Sequence, residues 1–169
     1  MMKRLLPLIL ALAMLFSLAL AEESVSYAFG SFELTVPPDV TVEEYDNART
    51  VVRGMTRVVV QVIPQDLAED GQAQVRDLMT VYHEAMTDIT DVPLVAELYG
   101  AMGLIEDRFG EDVHEIPVLI LREGELLILS GYNDGGDTLA VHTLLTELLS
   151  GVTLAGEPIL PATTAQIVD

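Results

Sequence analysis

The stretch IPVLILREGELLILSGY, residues 116–132, decides how this chain folds. Two apolar runs, "IPVLIL" (116–121) and "ELLILSGY" (125–132), meet at the short polar junction Arg122-Glu123-Gly124. Their apolar residues are continuous rather than alternating, which is typical of strands that are covered on both faces. The stretch therefore predicts two neighbouring strands at the centre of a sheet.

Earlier segments predict the outer strands of this sheet. "SVSYAFGSFELTV" (24–36) holds two runs of aromatic and β-branched residues around Gly30-Ser31, a hairpin signal, and the proline pair after Val36 ends the second strand. "DVTVEEY" adds a short strand, and "RTVVRGMTRVVVQVI" (49–63) predicts a second hairpin around Gly54-Met55. Residues 94–110 are weaker strand candidates because two glycines interrupt them.

Two amphipathic helices accompany the strands. From Val75 the apolar residues recur with helical spacing as far as Ile89, through Leu78, Met79, Tyr82 and Met86. The second helix begins after Asp137, which is placed to cap the free amides of the first turn. Its apolar stripe comprises Val141, Leu144, Leu145, Leu148 and Val152. Gly151 is expected in the left-handed conformation that commonly follows a helix end.

Runs of strands with two amphipathic helices predict an α+β domain, in which a mostly antiparallel β-sheet packs with both helices.

The N-terminus adds the pattern of a secretory signal peptide. Lys3 and Arg4 precede the apolar run "LLPLILALAMLFSLALA", which ends in a small-x-small triplet at Ala21. We expect cleavage after Ala21 and a secreted protein, outside the cell or in its envelope. The alternative, an uncleaved anchor, is at the short limit for a membrane span and is interrupted by Pro7.

Residues 1–21 are therefore expected to leave as the signal peptide. Residues 22–157 are expected to form the single α+β domain, and residues 158–169 a short irregular C-terminal tail. After cleavage no membrane span is expected.

The chain is strongly acidic, with 27 Asp and Glu against 8 Lys and Arg and a formal net charge of −19. This charge repels phosphate backbones and anionic lipid headgroups, so we expect no nucleic acid partner and no binding to a membrane surface. It favours divalent cations or basic partners, although acidic residues also keep an exported domain in solution. A protein or another cell-surface component is the expected partner. The oligomeric state stays open.

Three arginines form the candidate partner-binding patch. Arg49, Arg53 and Arg57 fall within nine residues around the second predicted hairpin. Arginine suits the bidentate recognition of carboxylates. The alternative is local ion pairing with neighbouring acids such as Glu43, Glu44 and Asp46.

The segment "GYNDGGD" (131–137) is the candidate metal site. Asn133, Asp134 and Asp137 offer the hard oxygen ligands that Ca²⁺ prefers. Their spacing differs from that of an EF-hand, and a glycine-rich turn followed by a helix cap accounts for the same residues. We therefore expect no required cofactor, with Ca²⁺ as the alternative.

Catalytic templates fit the sequence poorly. His83 and His114 both precede a glutamate, but Thr87 and Val118 occupy the positions where a zinc-protease helix needs its second histidine. Together with His142, they could meet only through the fold. No G-x-S-x-G nucleophile motif is present. A hydrolase that uses carboxylates, with or without a metal, remains the alternative from another functional class.

The order of elements resembles that of the PsbP-like family. "FELTVPPDV" is similar to the F-x-L-x-x-P opening of that family, "VRDLMTVYHEAM" to its first helix, and "TLLTELLSGVTL" to its closing helix and exit. The resemblance covers about residues 25–155. It implies a PsbP-like α+β fold and a noncatalytic role as a binding or accessory module. Calcium-dependent adhesion is a further alternative, which depends on the acidic charge and the Asp134–Asp137 loop rather than on this resemblance.

Overall fold

The computed structural model describes residues 24–162, so the predicted signal peptide and residues 163–169 lie outside the described part of the chain. The described residues form strands and two helices. The strands are β1 (Val25–Phe29), β2 (Phe32–Val36), β3 (Thr41–Tyr45), β4 (Ala48–Arg53), β5 (Thr56–Gln65), β6 (Thr87–Val92), β7 (Tyr99–Leu104), β8 (Glu115–Arg122), β9 (Gly124–Asn133), β10 (Val152–Leu154) and β11 (Glu157–Pro158). The helices are α1 (Gly71–Tyr82) and α2 (Thr138–Ser150).

The strands form two antiparallel sheets. The larger has seven strands in the order β3-β4-β5-β9-β8-β7-β6, and the smaller has four in the order β1-β2-β10-β11. The prediction of an α+β fold with a mostly antiparallel sheet and two helices is confirmed. The two apolar runs are β8 and β9, and β9 is the middle strand of the larger sheet.

Layers on both sides of β8 and β9 account for their continuous apolar sequence. Val118 and Ile120 belong to a core that includes α2 and the smaller sheet. Leu119 and Leu121 belong to a second core with Val75 of α1. Because successive residues of a strand point to opposite faces, both sets are buried and no polar alternation appears.

Helix α1 is shorter than its spacing predicts. It ends at Tyr82 rather than Ile89, and His83 follows with extended backbone angles of φ −155° and ψ 132°. Thr87–Val92 instead forms β6, which pairs with β7. Met86 and Ile89 pack against the same core as α1. They therefore continue the apolar pattern although they leave the helix.

The cap of α2 is confirmed, but the conformation predicted for Gly151 is wrong. Asp137 Oδ1 accepts a hydrogen bond from the Ala140 amide at 3.0 Å. Gly151 has φ −89°, outside the left-handed region. Glycine is needed there for close approach, because a Cβ would lie 2.2 Å from the Thr35 carbonyl oxygen. The Thr35 amide also donates to the Gly151 carbonyl at 2.9 Å.

The packed structure continues into the first residues of the expected tail. Pro158 pairs with Thr153 of β10. Ile159 is fully buried, and its carbonyl accepts a hydrogen bond from Val95 at 2.9 Å. No helix among residues 24–162 is long and apolar enough to cross a membrane.

Candidate functional site

Residues 24–162 cover one side of the larger sheet over only part of its width. Helix α1 packs on this side against β7 and β8. Directly paired residues of antiparallel strands share a side, so the register identifies the side chains that lie beyond the helix. We call this surface the open face. It consists of Thr41, Glu43, Tyr45, Ala48, Thr50, Val52, Arg57, Val59, Gln61 and Ile63, from β3, β4 and β5.

The open face carries apolar side chains that reach solvent. Tyr45 is 61% exposed and Ile63 is 37% exposed. Val59 and Val52 are partly exposed further along the same face, toward the end that carries Arg57. Exposed apolar side chains that share one surface mark interaction sites more often than scattered ones do.

Helix α1 forms one wall of the open face. Gln74 donates to the Asp66 carbonyl at 2.7 Å and accepts from the Ala68 amide at 2.7 Å. Because residues 66–68 directly follow β5, this side of α1 looks toward the open face. Leu78 and Val81 lie one and two turns further along the same side. Val81 is 80% exposed.

An aromatic pair closes one end of the open face. Tyr132 of β9 pairs with Arg57 of β5, so its side chain continues the same surface. The Phe109 ring packs on Tyr132 with ring centroids 4.5 Å apart. Phe109 belongs to the loop between β7 and β8 and is about half exposed. The aromatic surface at this end is therefore supplied by two different segments.

Arg57 is the arginine of the predicted patch that lies on the open face. Its Nε donates to Asp134 Oδ2 at 3.2 Å, and its Nη1 lies 4.0 Å from Glu43 Oε2. The hydrogen bond to Asp134 raises the pKa of Arg57. The guanidinium group therefore stays charged at this end of the surface.

The other two arginines point to the opposite side of the sheet, since residues 49 and 53 alternate with the open-face residues of β4. Arg49 Nε donates to Glu44 Oε1 at 3.0 Å. Arg53 Nη2 donates to Glu147 Oε2 at 2.6 Å and to Asp39 Oδ1 at 2.7 Å. The structure does not gather the three arginines into one patch, and each is paired with an acid. A partner-binding role for them stays a prediction.

The three candidate calcium ligands hold the glycine-rich turn together. Asn133 Nδ2 donates to Thr56 Oγ1 at 2.8 Å, and Asn133 Oδ1 accepts from the amides of Gly135 and Asp137 at 2.8 and 3.2 Å. Asp134 pairs with Arg57, and Asp137 caps α2. Among residues 24–162, no group of three or more His, Asp and Glu side chains could hold a metal. Calcium binding at this turn stays a prediction.

The three histidines lie on separate elements. His83 ends α1, and its Nδ1 accepts from the Ala85 amide at 3.1 Å. His114 Nδ1 accepts from the Asp107 amide at 3.2 Å in the loop before β8. His142 is exposed on α2, where it lines a cavity of about 260 Å³ with Asp88. The fold does not bring them together.

A buried acid that the sequence analysis did not single out connects four elements. Glu115 is 2% exposed at the start of β8. Its Oε1 accepts from the Tyr82 hydroxyl at 2.6 Å and from Ser130 Oγ at 2.5 Å, and its Oε2 accepts from Arg108 Nε at 3.2 Å. Burial and the hydrogen bond to Glu115 raise the pKa of Tyr82 to about 12. This network ties α1, β8, β9 and the Phe109 loop together beside the open face.

Comparisons with solved structures identify the fold. The chain superposes on the solution structure of cyanobacterial PsbP (CyanoP) from Synechocystis sp. PCC 6803 with a TM-score of 0.54. The sequences are 9% identical, and the match covers 79% of this chain and 93% of the other. The fold is PsbP-like. The resemblance inferred from the order of elements is therefore confirmed at the level of fold.

A crystal structure from Bacteroides thetaiotaomicron matches with a TM-score of 0.50 and 8% identity, over 79% of this chain. The chain spans about half of that protein, 48% of its length. No protein-family model matches the sequence, and no curated protein matches it. At these identities the structural likeness concerns architecture, and function must be argued from the site.

Proposed function

We propose that the chain is a secreted, noncatalytic binding or accessory module that holds a protein partner on its open face. The single observation that carries this proposal is the surface formed by Tyr45, Val52, Val59 and Ile63 beside the exposed Val81 of α1. When a partner removes the apolar side chains of an exposed sheet face from water, their burial stabilises the complex by about 25 cal/mol per Å² of area buried. The PsbP-like fold is compatible with this role.

The chemistry near the open face supports binding rather than turnover. Glu115 is the buried acid of this region, but it is 2% exposed and already accepts from three donors. A substrate could reach its carboxyl group only after Tyr82 or Ser130 had moved. The hydrolase alternative would therefore have to open a packed network before its acid became available.

Glu44, at a cavity on the edge of the sheet, is also held by a cation. A cavity of about 440 Å³ is lined by Glu44, Asp46 and Arg49. Glu44 is held there by Arg49, whose guanidinium also lies 5.1 Å from the ring centroids of Tyr27 and Phe29. The cavity thus contains an arginine packed on two rings and paired with an acid, an arrangement that stabilises the fold.

A matched pair of variants tests the proposed function. The purified protein is immobilised and exposed to the extracellular and envelope proteins of its source, in parallel with Ile63→Lys and Leu139→Lys. Leu139 is an exposed apolar residue on α2, on the opposite side of the larger sheet. We expect a defined protein to be retained by the wild type and by Leu139→Lys but lost with Ile63→Lys. Equal retention by all three forms would remove the open face from the proposal.

A further inference from the structure

We infer that the occupant of the open face is a basic amphipathic helix of the partner protein. The inference rests on the proposed function and specifies the chemistry of the partner. Three properties of the surface carry it: its width, the apolar wall provided by α1, and the acids that surround it.

The width of the open face fits one helix. Neighbouring strands lie about 4.8 Å apart, so the open face, from β3 to β5, spans roughly 10 Å. A helix with its side chains is about 10–12 Å in diameter. The open face therefore accommodates one helix beside α1, which packs against β7 and β8 on the same side.

The wall and floor offer apolar contacts to such a helix. Leu78 and Val81 follow Gln74 on the side of α1 that contacts residues 66–68 after β5. Val59 and Ile63 of β5 lie on the floor. A helix in a groove uses residues at i, i+3, i+4 and i+7, which form one apolar side. That side can meet the wall and the floor together, because α1 and the open face lie on the same side of the larger sheet.

Acidic residues lie at both ends of the open face and, at Glu43, on the face itself. Nine exposed acids lie in these positions: Glu43 on β3, Asp66, Glu69 and Asp70 after β5, and Glu106, Asp107, Glu111, Asp112 and Asp134 at the end that carries Phe109. The two arginines of this region, Arg57 and Arg108, are paired with Asp134 and Glu115. The border therefore favours lysine and arginine on the polar side of the occupant.

The same charge argues against a second copy of this chain as the occupant. A symmetric dimer places the same patch of both subunits in contact. Two open faces would then bring two acidic borders together, and like charges across an interface are costly. A basic partner gains from the border that a second copy would have to overcome.

Defined peptides test the inference. The first probe is an amphipathic helix of about 18 residues, about 27 Å long, with leucine on one side and lysine on the other. The second replaces each lysine by glutamate, and the third scrambles the sequence of the first. We expect the first peptide alone to bind, with amide resonance changes in NMR spectra centred on β4, β5 and the Leu78–Val81 side of α1.

A matched pair of exposed positions provides the control. Val81 and Leu139 are both helical, apolar and at least three-quarters exposed, so lysine at either position leaves the fold intact. Titration calorimetry should show that Val81→Lys lowers the affinity for the first peptide by about tenfold. The substitution places a charge against the apolar side of a basic helix. Leu139→Lys should change the affinity less than about twofold.

Three outcomes would overturn the inference. Equal binding of the scrambled peptide would show attraction to acids in general. Resonance changes confined to the backbone of the edge strand β3 would show that the occupant adds as a strand. Equal losses in Val81→Lys and Leu139→Lys would place the contact elsewhere. If a captured partner still depends on Ile63 in any of these cases, the proposed function stands and the helical occupant does not.

Discussion

Replacing Glu115 by alanine should lower the free energy of unfolding more than the same replacement at any exposed acid among residues 24–162. The substitution removes the acceptor of two hydroxyl donors, Tyr82 at 2.6 Å and Ser130 at 2.5 Å, in a site that is 2% exposed. A buried donor without an acceptor costs about 1–3 kcal/mol. Arg108 is 42% exposed and can be solvated again, so its loss adds little. The expected decrease in the free energy of unfolding is therefore about 2–6 kcal/mol, from the two orphaned hydroxyl donors together.

Urea unfolding followed by circular dichroism measures this decrease, with Glu106→Ala in the adjoining loop as the matched control. Glu106 is exposed, so its substitution should change the free energy by no more than about 0.5 kcal/mol. Glu115→Gln keeps an acceptor for Tyr82 and should cost about 1–2 kcal/mol. A cost below about 1 kcal/mol for Glu115→Ala would refute the reasoning. It would show that the two hydroxyl groups find other partners or water.

Other contacts make equally direct predictions. Gly151→Ala should cost about 2 kcal/mol in the same assay, because the added Cβ would lie 2.2 Å from the Thr35 carbonyl oxygen; a cost near zero would mean that the helix end and β2 can separate. The pKa of Tyr82 is raised from 10.0 to about 12, so its stabilisation is complete below pH 10 and is lost as pH rises toward 12, by at most about 1.4 kcal/mol per pH unit. Tyr82→Phe should reduce that slope, and an unchanged slope would assign it to other groups. Calcium and magnesium should shift the thermal midpoint equally, since Asn133 Oδ1 already accepts two amides; a shift with calcium alone would establish a site at the turn. N-terminal sequencing of the exported protein should begin at Glu22, and a product that begins at Met1 would contradict the predicted cleavage.

The central layers of the fold could be predicted because local pattern and burial agree there. The continuous apolar runs of β8 and β9 required cover on both faces, and α1 and α2 provide it. The end of α1 could not be predicted from spacing. Met86 and Ile89 contact the same core from a loop and a strand, so the apolar period continues after the helix has ended. The conformation of Gly151 could not be predicted because glycine is required there by a contact with Thr35, a residue more than a hundred positions away.

The candidate site depends on strand register, which the sequence does not display. Arg49, Arg53 and Arg57 are close in the chain, yet they divide between the two sides of the larger sheet because their strands alternate. Glu115 meets Tyr82 and Ser130 across 33 and 15 residues of sequence. One signal could have identified Glu115. Residues 115, 117, 119 and 121 share a side of β8, and Leu119 and Leu121 in this series are apolar. An acid at the start of that series is therefore expected to be buried and to need donors.

Photo-crosslinking from two positions tests the central claim most directly. A photoreactive amino acid replaces Ile63 on the open face in one form of the protein and Leu139 on α2 in the other. Each form is irradiated in the presence of the extracellular and envelope proteins of its source. We expect one defined protein to be crosslinked from position 63 and not from position 139. The same adducts from both positions, or an adduct from position 139 alone, would contradict binding through the open face.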